Sequence, residues 1–333
     1  MIWPSPSRPL SWRAARRADA EYGVSATPDW RQVDWPAHTH RATIDGGTVS
    51  YVDMGAGGRP AVFIHGLGGG WQNWLENIPA VAQTRRVIAL DLPGFGGSEM
   101  PRAPISITGF AAVVDRLCEH LGLGPVAVVG NSMGGFTAAE LAIRTPERVE
   151  RAVLVDAAGI TTRMLAQNPL SERFARAVVT RTRGTPEAAR RMLRRPGFTA
   201  LGFGVVARYP TRLSRDLLAE QFVSLGSPGF MPAYEALSTY DFVDRLDEIA
   251  CPTLIVQGTE DILVPLGDAY EFARRIPRAT TLILEDTGHV PMLERPLTFN
   301  RALLEFLDQD VAPERPHPER SPTLAESAAE GSV

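Results

Sequence analysis

Short apolar runs alternate with helical periods along most of the chain. Two of the runs, His40 to Ile44 and Thr48 to Asp53, flank the turn Asp45-Gly46-Gly47, which is typical of a β-hairpin. Six further runs follow, at Ala61 to Ile64, Arg86 to Leu90, Val126 to Val129, Ala152 to Val155, Thr253 to Val256 and Thr281 to Leu284. Helical periods occupy residues of about 107–121, 133–144, 267–275 and 297–308. The alternation predicts an α/β protein whose sheet is mostly parallel and begins with an antiparallel hairpin.

The stretch from residue 160 to 240 interrupts this alternation. It has helical character, and prolines divide it into short pieces at Pro169, Pro186, Pro196 and Pro210. An inserted helical cap over the strand ends is the simplest interpretation. We predict an N-terminal extension, a first core part, the helical cap, a second core part and a disordered tail, at residues 1–40, 41–159, 160–240, 241–309 and 310–333.

Composition excludes several classes of function. Hydrophobic residues make up 44% of the chain and charged residues 22%, which is typical of a packed globular protein. The formal net charge of -4 gives no reason to expect a nucleic-acid partner. All 34 basic residues are arginines, so Schiff-base and lysine-nucleophile chemistry are excluded. We predict neither a cofactor nor a metal site.

Cysteine usage and hydropathy bear on the location of the protein. Cys118 and Cys251 are the two cysteines, which form no disulfide framework and favour a reducing cytoplasm. Arg13, Arg16 and Arg17 are not followed by the apolar run of a secretory signal. Apolar stretches also stay short of the roughly 18 residues that a membrane-spanning helix needs. The sequence therefore predicts a soluble, cytoplasmic protein.

A candidate nucleophile stands directly after the run Val126 to Val129, in the segment Gly130-Asn131-Ser132-Met133-Gly134. This is a Gly-x-Ser-x-Gly pattern between a predicted strand and a predicted helix, where small residues allow a sharp turn that exposes the hydroxyl group. The alternative is a glycine-rich turn whose serine only caps the helix. The strand-turn-helix context favours Ser132 as a nucleophile.

A serine hydroxyl is a weak nucleophile, so it needs a base and a third group that orients the base. The ends of two later strands supply both groups: Asp261 follows the run ending at Val256, and His289 follows the run ending at Leu284. Taken singly, Asp261 could cap the next segment and His289 could be a core histidine. Their joint occurrence at successive strand ends favours a Ser132, Asp261 and His289 triad.

Acyl transfer also needs hydrogen-bond donors aimed at the developing oxyanion. The backbone amide of Met133, directly after the nucleophile, is one predicted donor. The turn after Ala61 to Ile64 reads His65-Gly66-Leu67-Gly68-Gly69-Gly70, and we predict the Leu67 amide as the second donor. The His65 side chain is expected only to pack beside the active-site turn.

Together these motifs resemble the α/β-hydrolase superfamily over about residues 41–308. Four segments carry the resemblance: His65-Gly66-Leu67-Gly68, Asp91-Leu92-Pro93-Gly94-Phe95-Gly96-Gly97-Ser98, the turn at Ser132, and the Asp261 and His289 pair with Pro291 and Glu294-Arg295-Pro296 beyond. The resemblance implies an eight-stranded, mostly parallel sheet with an inserted helical cap. It also implies a structural role for the loop that begins at Asp91.

The resemblance leaves the acid open, because some superfamily members place it after the strand that here ends at Val155. Asp156 stands at that position. The segment from Gly258 to Asp261, followed by Val264-Pro265, matches the commoner arrangement and favours Asp261.

The leading hypothesis is hydrolysis of a small carboxylic ester with an apolar acyl group through an acyl-enzyme. Dehalogenases and epoxide hydrolases of this superfamily carry an aspartate where this chain has Ser132, while a perhydrolase side activity stays open. One alternative is a carbon-carbon bond hydrolase of the meta-cleavage product type, which Asn131 and the run Trp74 to Pro79, with Asn77, resemble. Another is a non-enzymatic ligand-binding member of the fold.

The predicted cap is locally basic, and one interpretation is that it binds an anionic membrane surface or the anionic tail of a substrate. A solvated helical face in a lysine-free sequence is the favoured interpretation. The sequence leaves the acyl group, the alcohol and the oligomeric state open. The arginines in question are Arg163, Arg173, Arg176, Arg181, Arg183, Arg190, Arg191, Arg194, Arg195, Arg208, Arg212 and Arg215.

Overall fold

A single eight-stranded sheet forms the centre of the protein. The computed structural model describes residues 20–161, 173, 176, 202–221, 224 and 226–309. The strand order is β1-β2-β4-β3-β5-β6-β7-β8. The strands are β1 (Thr39–Ile44), β2 (Gly47–Met54), β3 (Ala61–Ile64), β4 (Val87–Leu90), β5 (Val126–Asn131), β6 (Val149–Val155), β7 (Thr253–Gly258) and β8 (Ala279–Leu284).

Pairing in the sheet follows the sequence pattern. Strand β2 pairs antiparallel with β1 and with β4, whereas the pairs from β4 through β3 and β5 to β8 are parallel. The hairpin between β1 and β2 turns at Asp45 and Gly46, whose φ angles of 52° and 74° suit a tight turn that matches the strand twist. The predicted eight-stranded, mostly parallel sheet is confirmed.

Helices flank the sheet, and four of them coincide with the predicted helical periods to within a residue or two. These four are α3 (Ile107–His120), α4 (Met133–Arg144), α7 (Leu266–Arg275) and α9 (Pro296–Asp308). Further α-helices are α1 (Trp35–His38), α2 (Ile78–Val81), α5 (Arg215–Gln221), α6 (Phe230–Thr239) and α8 (Pro291–Glu294). All of these helices are too short or too polar to cross a bilayer.

The inner strands are buried on both faces, which explains why they read as continuous apolar runs. Along β3, Val62 and Ile64 pack into the cluster beside α3 and α4, whereas Ala61 and Phe63 pack into the cluster beside α2 and α9. Both faces of the sheet are therefore covered. The open edge left for chemistry is the one formed by the carboxyl ends of the parallel strands.

Strand β6 begins three residues before the predicted run. Val149 is buried and pairs with Val126, although the polar residues Glu150 and Arg151 follow it. Arg151 is only 2% exposed, because its guanidinium group lies 5.4 Å from the centre of the Phe306 ring. The tertiary contact with α9 buries a side chain that the sequence pattern places in a loop.

Residues 20–38 pack on the body of the protein, and we call them the N-terminal strap. Tyr22, Ala26 and Trp30 are buried. The carboxylate of Glu76, itself 3% exposed, accepts hydrogen bonds from the Ser25 hydroxyl at 3.0 Å, the Ala26 amide at 2.8 Å and the Trp30 indole at 3.0 Å. Sequence analysis assigned no chemistry to this segment. The rest of the predicted extension, most of the predicted cap and the predicted tail lie outside the described residues.

The end of β7 packs so closely on the loop before α8 that only glycine fits at position 258. A Cβ atom on Gly258 would lie 2.2 Å from the Gly288 carbonyl oxygen and 2.4 Å from that of Thr287. Gly267, in the exposed first turn of α7, has no such neighbours within 4 Å.

We expect Gly258→Ala to destabilise the protein by about 2 kcal/mol or more, because backbone atoms must move to admit the methyl group. Gly267→Ala is the matched control. It is expected to be neutral or to stabilise by about 0.5 kcal/mol, since alanine restricts the unfolded chain. Urea unfolding of both variants measures the difference, and equal stabilities would contradict the packing argument.

Candidate active site

Ser132 occupies a one-residue turn between the end of β5 and the start of α4. Its φ and ψ angles are 56° and −116°, a strained combination for a residue with a side chain. Its amide donates to the Val155 carbonyl at 2.9 Å, and its carbonyl accepts from the Ala158 amide at 3.1 Å. The sheet thus holds the strained turn in place and presents the hydroxyl group at the strand ends.

Glycines on both sides of Ser132 allow the sharp turn. A Cβ atom on Gly130 would lie 2.1 Å from the Gly134 carbonyl oxygen, and one on Gly134 would lie 2.1 Å from the Ile64 carbonyl oxygen. Each approach is too close for any side chain. The two glycines of the sequence motif are therefore required by the contact of α4 with β5 and β3.

The first amides of α4 point toward the same edge. The first helical hydrogen bond runs from the Phe136 amide to the Ser132 carbonyl at 3.0 Å. The amides of Met133, Gly134 and Gly135 precede it and have no acceptor within the helix. The Met133 amide, at the positive end of the helix dipole, suits a developing negative charge beside Ser132.

His289 and Asp261 form a buried hydrogen-bonded pair. His289 Nδ1 lies 2.7 Å from Asp261 Oδ2, and the two residues are 5% and 9% exposed. Asp261 Oδ1 accepts from the Leu263 amide at 2.7 Å and the Val264 amide at 3.1 Å, which fixes the carboxylate. With Nδ1 as the donor to Asp261, Nε2 of His289 is the nitrogen that can accept a proton.

The backbone of the His289 loop is tied to the turn that carries Ser132. The side-chain amide of Asn131, the residue before Ser132, donates to the His289 carbonyl at 3.1 Å and to the Val155 carbonyl at 3.2 Å. The His289 amide donates to the Val206 carbonyl at 2.7 Å. The Asn131 side chain therefore joins the backbone of the predicted base to the turn of the predicted nucleophile.

Asp156, the alternative acid, lies beside the same pair. One carboxylate oxygen of Asp156 lies within 4.8 Å of a carboxylate oxygen of Asp261 and of a ring nitrogen of His289, and Asp156 Oδ1 accepts from the Gly258 amide at 3.0 Å. Complete burial is the main reason that the pKa of the Asp156 carboxyl lies well above its usual range, and the negative charge of Asp261 raises it further. The short hydrogen bond of His289 is made to Asp261, which favours Asp261 as the orienting acid.

The turn after β3, which contains the predicted second oxyanion donor Leu67, lies against Ser132. A Cβ atom on Gly66 would lie 3.3 Å from Ser132 Cβ. The Gly66 carbonyl accepts from His65 Nδ1 at 2.7 Å and from the Gly69 amide at 3.0 Å. Because the amide hydrogen and carbonyl oxygen of a trans peptide point in opposite directions, the Leu67 N–H points away from His65.

His65 does more than pack beside this turn, which corrects the expectation from sequence. While Nδ1 binds the Gly66 carbonyl, Nε2 accepts the Leu92 amide at 2.9 Å, so both ring nitrogens have fixed partners. Complete burial lowers the pKa of His65 to about 4 and keeps the ring neutral. The imidazole thereby connects the turn after β3 to the loop that begins at Asp91.

Asp91 braces the same region, in line with the structural role expected for its loop. The carboxylate is 2% exposed and accepts the Trp71 amide through Oδ1 and the Gly97 amide through Oδ2, each at 2.9 Å. Burial raises the pKa of this carboxyl.

Asn73 is a polar residue of the site that sequence analysis did not single out. Its Oδ1 accepts the Gly66 amide at 3.3 Å, and its Nδ2 donates to Gln221 Oε1 at 2.7 Å. This links α5 to the turn after β3. Its partner in α5 is 148 residues away along the chain, so the sequence pattern alone does not identify Asn73.

The neutral, buried state of His65 makes the stability of the protein depend on pH. Because the folded-state pKa of about 4 lies below the ordinary value of 6.5, the unfolded chain gains a proton first as the pH falls. Stability supplied by His65, on the order of 3 kcal/mol, is present above about pH 6.5 and is lost as the pH falls toward about 4.

We expect His65→Gln to remove this dependence, since glutamine does not titrate. Urea unfolding of both proteins at several pH values between about 7 and 4.5 tests this. The stability advantage of the wild type should shrink as the pH falls, and a constant difference would contradict the assignment of His65.

Comparison of the chain with known proteins identifies its family. A family model of the alpha/beta hydrolase fold matches residues 60–296. A 2-hydroxy-6-oxononadienedioate/2-hydroxy-6-oxononatrienedioate hydrolase of Paraburkholderia phymatum is 32% identical over 300 residues, which cover 83% of this chain and 99% of the relative.

Two solved structures are similar over most of the chain. A membrane phospholipase A, described as a bacterial virulence factor, has a TM-score of 0.65 at 28% identity and covers 81% of this chain and 85% of its own. A thermophilic esterase of Thermogutta terrifontis has a TM-score of 0.63 at 25% identity and covers 81% of this chain and 97% of its own. The chain therefore belongs to the alpha/beta hydrolase fold family.

Proposed function

We propose that this protein is a serine hydrolase that cleaves carboxylic esters through an acyl-enzyme. The observation that carries the proposal is the buried 2.7 Å hydrogen bond between His289 and Asp261, in a loop bonded to the strained turn at Ser132. A serine, a carboxylate and an imidazole in this chain order are the parts that acyl transfer uses in this fold. The proposed substrate is a small ester with an apolar acyl group, and no cofactor takes part.

In the first half of the proposed reaction, the Ser132 hydroxyl attacks the ester carbonyl and His289 Nε2 accepts its proton. Asp261 stabilises the imidazolium that forms. The negative charge on the carbonyl oxygen is held by the Met133 and Leu67 amides, each worth about 3 to 4 kcal/mol where such donors have been removed. His289 then gives the proton to the departing alcohol, which leaves the acyl group on Ser132.

In the second half, water attacks the acyl-enzyme with His289 again as the base. The carbonyl oxygen returns to the same two amides, and the carboxylic acid leaves as the Ser132 hydroxyl regains its proton. The whole cycle uses three side chains and two backbone amides of this chain.

The second candidate is cleavage of a carbon-carbon bond, which the relative of Paraburkholderia phymatum favours through its name and its 32% identity. That reaction requires a dienoic keto acid to be protonated and its carboxylate to be held. Asn131 donates instead to two backbone carbonyls, and Asn77 donates to the Met292 carbonyl and the Asn300 side chain.

One arginine of the predicted cap, Arg208, also has partners within the protein. Arg208 pairs with Asp286 at 3.3 Å and with Glu260 at 3.6 Å. Asn131, Asn77 and Arg208 are thus bonded within the protein, which supports the ester over the keto acid. Most of the cap arginines named from the sequence lie outside the described residues.

We expect measurable hydrolysis of short to medium nitrophenyl esters and little turnover of a dienoic keto acid. Ser132→Ala should lower ester turnover by roughly a million-fold with little effect on folding, because it removes the nucleophile from a site where a methyl group fits. Steady-state kinetics on both substrate classes measure this. A preference for the keto acid by more than about a hundred-fold, roughly 2.7 kcal/mol, would assign the protein to the carbon-carbon hydrolases.

The two neighbouring carboxyl groups should differ sharply in their effect on turnover. Asp261→Asn is expected to lower kcat by roughly ten-thousand-fold, since the amide no longer holds His289 in the required tautomer. Asp156→Asn is the matched control, expected to stay within about tenfold of wild type, because an amide can replace a protonated carboxyl at that position. The reverse ranking would reassign the orienting acid to Asp156.

A further inference from the structure

One fully buried carboxylate lies behind the His289 loop and takes no part in the chemistry described above. Glu294 is 0% exposed, and burial raises its pKa. It accepts the Gly288 amide at 3.0 Å on each oxygen and the Val290 amide at 3.2 Å on Oε1, so its donors flank His289 on both sides. The position of this carboxylate therefore sets the position of the backbone that carries the base.

The other donors to Glu294 come from two distant parts of the chain. The Arg208 amide donates to Oε2 at 2.8 Å, and the Tyr22 hydroxyl of the N-terminal strap makes a short hydrogen bond to the same oxygen. The Tyr22 oxygen in turn accepts the Tyr209 amide at 2.8 Å. The hydroxyl group thus stands between the strap, the segment before α5 and the His289 loop.

The ring of Tyr22 is as firmly held as its hydroxyl group. Tyr22 is 1% exposed, and its ring meets that of Tyr209 edge-on with 5.2 Å between centroids. It belongs to a small apolar cluster otherwise formed by residues of α5 and of the segment before it: Phe203, Ala207, Tyr209, Leu213, Leu218 and Ala219. The strap therefore supplies an aromatic residue to the core of this segment.

We propose that Tyr22, in the N-terminal strap, is a positioning residue for His289 that acts through Glu294. Tyr22 lies outside residues 60–296, the part of the chain that the family shares. The inference rests on the proposed function, because it assigns Tyr22 an effect on the proton transfer between Ser132 and His289.

Loss of the hydroxyl group has a specific consequence at the site. Oε2 of Glu294 would keep only amide donors, and the Tyr209 amide would lose its acceptor in a buried setting. The carboxylate would then settle differently against the Gly288 and Val290 amides. A small displacement of His289 matters because proton transfer requires aligned atoms at hydrogen-bond distance.

The strap has a second anchor that allows a matched control. Ser25, three residues after Tyr22, donates to Glu76, which lies in the segment before α2 and has no hydrogen bond to the His289 loop among the described contacts. Ser25→Ala weakens the attachment of the strap without touching Glu294, whereas Tyr22→Phe removes the bond to Glu294 and keeps the ring. The two variants therefore distinguish a general weakening of the strap's attachment from a specific effect on the position of His289.

The experiment compares wild type, Tyr22→Phe and Ser25→Ala as full chains, well below the Tm of each. The first measurement is the rate constant for labelling by a fluorophosphonate probe, which depends on the Ser132 and His289 pair whatever the natural substrate. We expect Tyr22→Phe to lower it about tenfold or more and to lower kcat for a nitrophenyl ester by a similar factor with KM nearly unchanged. Ser25→Ala should keep both values near wild type.

Glu294→Gln changes the acceptor of the same hydrogen bond, and it provides the test if Tyr22→Phe does not fold. It should slow labelling by a similar factor, since an amide cannot accept on both sides. Wild-type labelling in both variants would overturn the inference, as would equal slowing in Tyr22→Phe and Ser25→Ala at equal Tm. A wild-type protein that the probe does not label would overturn the proposed function itself, and the inference with it.

Discussion

The rest of the structure depends on the strained turn at Ser132. A residue with a side chain adopts the combination of φ 56° and ψ −116° only where its surroundings hold it there. Here the last residue of β6, Val155, and Ala158 in the segment after it do so through backbone hydrogen bonds to the amide and the carbonyl of Ser132. The parallel sheet is what brings that strand alongside. Strain at one residue is therefore supported by the most rigid part of the protein, and the serine hydroxyl stays fixed relative to the strand ends.

Buried carboxylates organise the loops around that turn. The Asp91 carboxylate accepts hydrogen bonds from amides in the loops after β3 and β4. The Asp261 carboxylate accepts from its own loop after β7, and the Glu294 carboxylate accepts from the loop after β8. A carboxylate buried away from water must be satisfied by donors, and backbone amides of irregular segments are donors without a secondary-structure partner. Each carboxylate therefore helps to fix the conformation of an irregular segment, at the edge of the sheet where the proposed chemistry takes place.

Polar side chains near such a site are not all available to a substrate. Asn131 stands directly before the nucleophile, yet its amide group joins two backbone carbonyls. The same residue type at the same sequence position could face a substrate in another chain. Residue identity beside the nucleophile is thus a weak guide to reaction class, because the hydrogen bonds already made within the protein decide which groups remain to bind a ligand.

Sequence alone determined the features that arise from local pattern. The order of strands and helices, the turn at Ser132 and the candidates Asp261 and His289 all follow from short motifs, since glycine spacing and apolar runs constrain the backbone near themselves. Tertiary structure decided which of Asp156 and Asp261 bonds His289, how His65 fixes the Gly66 carbonyl, and where the N-terminal strap lies. Tyr22 and Glu294 are 272 residues apart, and a contact over that distance leaves no local pattern in the chain. It exists because folding leaves a buried carboxylate that needs a donor, and the strap supplies one.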